Sequence, residues 1–382
     1  MRVLTIIYEF PPIGGGGGQA ALDICTGLVN RGHDVHVITA HMDGLPRHEN
    51  RGGLEVLRVS SARRIAYQAD MRAMSGYVMA GFTAGMRHIR AWRPDIIHVH
   101  FAVPSGPVAR MISRLTGIPY VLTAHLGDVP DGVPEKTDKW FRWVYPFTPA
   151  IWQDAARVVT VSEFTRGLAR QRYDVDMQVI PNGVSLESLD PGEIIVNTPP
   201  RIVFAGRFML QKNPVQLIQT LEKVKHLDWD CVMLGDGPLR AEMEQEIDIL
   251  GLGDRFTLPG WVTPQEVVGW FARSDLLFMP SLSEGLPVVG VQSLAMGLAI
   301  VASPVGGFID LVEDGVNGYL VSAPSSAAQR LEELLNDPER LHRYRKASRQ
   351  MAKRFDINNV VAAYEELFFE VISAVPQGAR EA

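Results

Sequence analysis

A chain of 382 residues, 46% of them apolar, is long enough for two or three domains with sizeable cores. Its net charge of −6 is unevenly spread: residues 1–185 carry 20 Lys+Arg against 16 Asp+Glu, and residues 186–382 carry 17 against 27. Cys25 and Cys231 lie inside apolar runs in different halves, and no apolar run approaches the roughly 18 residues of a spanning helix. A disulfide scaffold and a membrane-spanning protein are excluded on these grounds. A cytoplasmic globular protein with no nucleic-acid partner is expected.

The opening Met1–Tyr8 is too short for a secretory segment and ends before Pro11-Pro12, so it reads as a first strand, Val3–Ile7. The glycine run Gly14–Gly18 then opens a helix. A second strand, Val35–Thr39, follows Arg31-Gly32-His33. The stretch Ser60–Trp92 reads as helix and mixes Arg63, Arg64, Arg72, Arg87 and Arg90 with Tyr67, Met71, Met74, Tyr77, Phe82 and Met86. Such a basic amphipathic segment is either a peripheral contact with an anionic membrane or a core-facing stripe with solvated arginines. Strands Ile96–His100, Tyr120–Thr123, Val158–Val161 and Met177–Ile180 complete the first half. His98 and His100 are expected on opposite faces of their strand, as packing residues.

Ser185–Pro200 lacks either periodicity and is rich in Asp, Glu and Pro; it reads as a linker. The alternation restarts with Ile202–Ala205, Cys231–Leu234, Phe256–Leu258, Leu276–Met279, Ile300–Ala302 and Gly318–Val321. Helical segments Pro338–Arg354 and Ile357–Ile372 end the chain. Strands alternating with helices throughout predict an α/β protein of two doubly wound, Rossmann-like domains, 1–186 and 187–356, facing a central cleft.

Two segments carry the chemistry. Gly206-Arg207 to Lys212 leaves the apolar strand Ile202–Ala205, and Ser281-Leu282-Ser283-Glu284-Gly285-Leu286-Pro287 leaves Leu276–Met279; a helix follows each. Loops at the carboxyl ends of neighbouring strands in an open sheet share one crevice. There a carboxylate can hold hydroxyls while two cations and a helix N-terminus hold phosphate, which outlines a nucleotide-sugar site.

With Phe10-Pro11-Pro12 and Gly14–Gly18, Arg31-Gly32-His33, His98-Val99-His100, Thr123-Ala124-His125, Val161-Ser162-Glu163, Pro181-Asn182-Gly183-Val184 and Gly235-Asp236-Gly237-Pro238, the sequence resembles the retaining glycosyltransferases of family 4, with the GT-B fold, along nearly its whole length. The resemblance implies transfer of a hexose from a UDP- or GDP-sugar to a sugar, glycolipid or small-molecule acceptor. It also implies that the segment 357–373 crosses back onto the first, acceptor-binding domain. By the same resemblance His125 contacts the transferred sugar, and Ser162 and Asn182 are cleft candidates.

Breaking the anomeric bond puts negative charge on the departing diphosphate, which a metal or fixed donors must stabilise. The Asp-X-Asp pairs Asp174/Asp176 and Asp228/Asp230 precede strands, at the edge away from the crevice. No metal and no cofactor are therefore expected; Arg207, Lys212 and the amides of Gly15, Gly16, Gly285 and Leu286 take that place, with Glu284 on sugar hydroxyls. Gly260-Trp261-Val262 matches the segment whose main chain reads the base. The family pattern has a second Glu eight residues after the first, on the ribose; here Gln292 stands there. A nucleotide-sugar epimerase of the same fold and a binding subunit with decayed chemistry are the competing readings. A dinucleotide oxidoreductase is disfavoured, because the second strand ends Thr39-Ala40 without the acidic residue that would hold a ribose. Acceptor recognition is assigned to the loops Asp43–Gly53 and Gly127–Trp140.

Overall fold

The computed structural model describes residues 1–63, 71–133 and 143–375. They form two compact units, Met1–Gly183 together with Ile357–Ala382, and Val184–Asp356.

In the first unit the strands are β1 (Arg2–Ile7), β2 (Asp34–Ala40), β3 (His48–Arg51), β4 (Leu54–Val59), β5 (Ile96–His100), β6 (Tyr120–Ala124), β7 (Arg157–Thr160) and β8 (Met177–Val179). Their order is β3-β4-β2-β1-β5-β6-β7-β8. All neighbours are parallel except the β3–β4 pair. The central strands are apolar runs because both faces are covered. One face packs on helices Met71–Trp92 and Ser105–Thr116 through Tyr77, Ile89, Val108 and Ile112. The other packs on helices Gly16–Asn30 and Ile357–Ala374 through Ile24, Leu28, Val361, Tyr364 and Phe368.

Two sequence expectations change here. The loop expected at Asp43–Gly53 contains β3, which turns through Gly52 and Gly53 into β4; both glycines have positive φ, as so tight a reversal requires. The polar β3, His48-Glu49-Asn50-Arg51, occupies the sheet edge, where charge discourages pairing with another chain. The second change concerns Ser60–Trp92. The helix begins only at Met71, and its Ala73, Tyr77, Gly81, Gly85 and Ile89 stripe is buried. Arg72, Arg87 and Arg90 are exposed, whereas Arg63 is buried against Glu9 at 2.9 Å with its guanidinium over the Tyr8 ring. Arg63 therefore cannot belong to a surface that meets a bilayer, and the apolar stripe is core. Arg64 and Tyr67 lie outside the described residues.

The second unit has β9 (Arg201–Ala205), β10 (Asp230–Leu234), β11 (Phe256–Gly260), β12 (Leu276–Met279), β13 (Ala299–Ala302) and β14 (Gly318–Leu320), ordered β11-β10-β9-β12-β13-β14 and parallel throughout. Ser185–Pro200 forms no helix or strand, yet it is held firmly to this unit. Arg345, 3% exposed, pairs with Asp275 at 2.5 Å and donates to the Ile195 carbonyl. Arg349 donates to the carbonyls of Leu189 and Ala295. Among the described residues no helix is long and apolar enough to cross a membrane.

Candidate functional site

In a doubly wound sheet the chain leaves in opposite directions from two adjacent strands, and their carboxyl ends open a crevice. In the second unit those strands are β9 and β12. The loops after them are the two chemistry-bearing segments, and they touch. Leu282 N–H donates to the Gln211 carbonyl at 2.8 Å, and the Gln211 amide donates to the Ser283 carbonyl at 3.0 Å. Lys212 Nζ lies 2.5 Å from Glu284 Oε1, which also accepts from Ser281 Oγ at 2.8 Å. Glu284 is 4% exposed, so its charge is kept in the interior by a cation and a hydroxyl. Arg207, half-buried, follows β9 on the same loop.

The backbone around this junction is crowded. A Cβ at Gly235 would stand 2.0 Å from the Gly206 carbonyl oxygen, and one at Gly306 would stand 1.6 Å from that of Glu284. Gly307 N–H donates to the Gly285 carbonyl, so the turn after β13 supports the Glu284–Leu286 backbone from behind. Past that support the helix Val288–Ala295 begins, with half-buried Gln292 one turn in. On the other side of β9, the Gly260 carbonyl accepts from Gly235 N–H at 3.0 Å, and Trp261 is 63% exposed.

The first unit's crevice lies after β1 and β5. Gly15 and Gly16 are exposed at the start of the 15-residue helix Gly16–Asn30, whose first-turn N–H groups have no partner within the helix, as at any helix start. A Cβ at Gly17 would sit 2.6 Å from Phe101 Cζ and 3.4 Å from both Cε1 and Nδ1 of His125. Phe101, at φ 68°, stacks on His125 with centroids 4.4 Å apart. A bulky residue in the left-handed region is costly, and here it places a ring against the imidazole. His125 follows β6 and is 8% exposed; burial lowers its pKa to about 4, so it is neutral at physiological pH. Asp128, 1% exposed, accepts His125 N–H at 2.8 Å and Val103 N–H at 3.3 Å, tying the two loops together.

One expectation is corrected, and two cleft candidates are placed. His98 and His100 share one face of β5, their ring centroids 4.2 Å apart, because residues two apart on a strand point the same way. Ser162 spends its hydroxyl on the N-cap of helix Glu163–Arg170, accepting Thr165 N–H at 3.1 Å, and is a capping residue. Asn182 is buried in the segment after β8. Sequence reasoning missed Phe101, Asp128 and Gly306-Gly307, and did not single out Gly17 within the Gly14–Gly18 run. Only the glycine pair left a signal, as a Gly-Gly after an apolar strand. Asp230, the second member of an Asp-X-Asp pair, opens β10 and pairs with Arg201 at 2.6 Å, at the strand end away from the crevice.

Comparison with known proteins agrees with this geometry. Residues 14–188 match the family model described as Glycosyltransferase Family 4, and residues 187–351 match Glycosyl transferases group 1. The chain belongs to the group 1 glycosyltransferases. The 2-deoxystreptamine glucosyltransferase of Streptomyces kanamyceticus is 28% identical over 89% of this chain and 96% of its own. Sucrose-phosphate synthase from Thermosynechococcus elongatus superposes with a TM-score of 0.86 at 19% identity, covering 98% of this chain and 100% of its own. HepE of Anabaena, solved with UDP-glucose, gives 0.73 at 18% identity, covering 98% and 100%. These two likenesses establish the GT-B fold of this group 1 glycosyltransferase.

Proposed function

We propose that this glycosyltransferase moves a hexose from a UDP- or GDP-sugar to an acceptor hydroxyl, with retention of anomeric configuration and without a metal. The observation that carries the reading is the Lys212–Glu284 junction at the β9/β12 switch point. A cation for diphosphate oxygens and a carboxylate for sugar hydroxyls stand side by side there, in front of a helix N-terminus. The hexose donor is supported by the glucosyltransferase relative and by the UDP-glucose held in HepE.

As the anomeric bond lengthens, charge grows on the departing diphosphate. Arg207, Lys212 and the amides of Gly15, Gly16, Gly285 and Leu286 stabilise it without reorganising. Glu284 holds sugar hydroxyls, Gln292 meets the ribose, and the main chain of Gly260-Trp261-Val262 meets the base. His125 belongs to the first unit, which binds the acceptor, and reaches the transferred sugar. The acceptor proton passes to the leaving phosphate on the same face, so no protein carboxylate need act as nucleophile.

The test begins with a thermal-shift panel of UDP-, GDP- and ADP-sugars, since a ligand at about 100 times its Kd stabilises by roughly 2.7 kcal/mol. Transfer to sugar, glycolipid and cyclitol acceptors is then followed, with NMR of the product's anomeric proton. Lys212→Ala and Arg207→Ala should each lower turnover about 10²-fold or more, and EDTA should leave the rate unchanged. Metal-reversible loss in chelator would overturn the metal-free reading, and product formed with no acceptor would identify an epimerase. Donor binding without turnover would identify a non-catalytic subunit.

A further inference from the structure

Three imidazoles form a file within the first unit. His98 Nε2 is 2.9 Å from Thr123 Oγ1, which in turn lies 3.0 Å from the Tyr364 hydroxyl. His100 Nδ1 is 3.4 Å from His125 Nε2. The opposite nitrogens, His98 Nδ1 and His100 Nε2, are buried with no hydrogen-bond partner. Burial lowers the pKa of His98 to about 3, of His125 to about 4, and of His100 well below the usual range, so all three rings are neutral at physiological pH.

A neutral imidazole has one N–H and one bare nitrogen. A buried N–H with no acceptor is rarer and costlier than a bare acceptor left unfilled. The proton of His98 therefore sits on Nε2, facing Thr123, and that of His100 on Nδ1, facing His125. Since His100 donates, His125 Nε2 must accept. The single proton of His125 is then on Nδ1, the ring edge that faces Gly17.

We propose that His100 is a positioning residue that fixes the Nδ1–H tautomer of His125, so that His125 offers a hydrogen-bond donor to an oxygen of the bound sugar. The proposal rests on the reading that His125 meets the sugar. It gives the imidazole one definite role: a neutral donor to the sugar that holds it in place for transfer, with the Phe101 ring and the Asp128 brace holding its plane and its backbone. His100→Phe keeps ring volume and removes the donor, whereas His100→Asn places an amide N–H near the position of Nδ1.

Nitrogen-15 spectra of histidine-labelled protein report the tautomer directly. In wild type the His125 signals, assigned by their loss in His125→Ala, should show Nδ1 protonated and Nε2 bare. In His100→Phe they should move to the Nε2–H or a mixed pattern, and kcat should fall on the order of 10²-fold with the donor KM little changed. His100→Asn should restore both. Wild-type spectra with the proton on Nε2 would overturn the proposal even if the variants failed to fold, and so would a His100→Phe protein with unaltered His125 signals. Should His125→Ala turn over like wild type, the sugar-contact reading fails, while the spectra still decide whether His100 sets the tautomer.

Discussion

Asp128 is 1% exposed, and burial pushes its carboxyl up to about 7 against the main-chain N–H groups of His125, Val103 and Ala102 that pull it down. An unfolded Asp titrates near 4, so between roughly pH 4 and 7 the native state holds more protons than the unfolded one. Stability from this group must therefore fall as pH rises through that window, by an amount on the order of a few kcal/mol. Asp128→Asn removes the titration, although its amide cannot accept every N–H the carboxylate does. Comparing unfolding curves at several pH values, the wild type should lose stability relative to the variant as pH rises from about 5 to 8. A constant difference would show that Asp128 does not titrate in that range. This residue was illegible in the sequence because an aspartate in a loop reads as an exposed turn. His125 was legible because the end of an apolar strand in a doubly wound sheet faces the crevice. The orientation of His98 and His100 was misjudged by one step of the strand period, and the corrected face is what joins them to His125.

Loops and turns are the elements that make the second unit's site. Loop positions after β9 and β12 followed from the alternation of apolar runs, and so did the meeting of Lys212 and Glu284. What supports Glu284 from behind did not, because support comes from the turn after β13, some twenty residues along the chain, and depends on a close backbone approach that spacing alone does not encode. Gly306 has φ +57°, and an added Cβ would fall 1.6 Å from the Glu284 carbonyl oxygen, where backbone cannot yield as a flexible side chain would. Gly306→Ala should thus cost more than the ~1–3 kcal/mol of ordinary overpacking and displace the Glu284–Leu286 backbone. Calorimetry with the nucleoside diphosphate sugar should find affinity weakened about tenfold or more, while the thermal signature of the first unit stays in place. Wild-type affinity in that variant would show that the turn does not position the loop. The β3–β4 hairpin was missed for a different reason. His48–Arg51 is polar along its whole length, and an edge strand that guards itself with charge carries no apolar signal.

At the scale of the whole molecule, the strand–helix alternation revealed two Rossmann-like units, but periodicity did not say to which unit the last helix belongs. The structure assigns Ile357–Ala374 to the first unit, 174 positions after Gly183 in the numbering of the sequence, with the second unit intervening. Val360, Val361, Tyr364, Leu367, Phe368 and Val371 are each at most 3% exposed. At about 1.5–3 kcal/mol for each large apolar side chain buried, the six together contribute on the order of 10 kcal/mol, as much as the whole stability of a typical domain at roughly 5–15 kcal/mol. Polar ties add to it: Glu365 meets His33 at 2.6 Å and Arg31 at 2.7 Å, and the Tyr364 hydroxyl is 3.0 Å from Thr123 Oγ1. A chain cut after Asp356 keeps every residue of the second unit, including the Val184–Asp356 bridge, and loses this helix entirely. Hydrogen exchange on that truncated protein should find β9–β14 amides protected as in the full chain, β1, β2, β5 and β6 amides exchanging freely, and donor binding retained while transfer is lost. Protection of the β1 and β5 amides at the full-length level would mean that the first unit's core stands without the helix and that its six buried side chains are dispensable to that core.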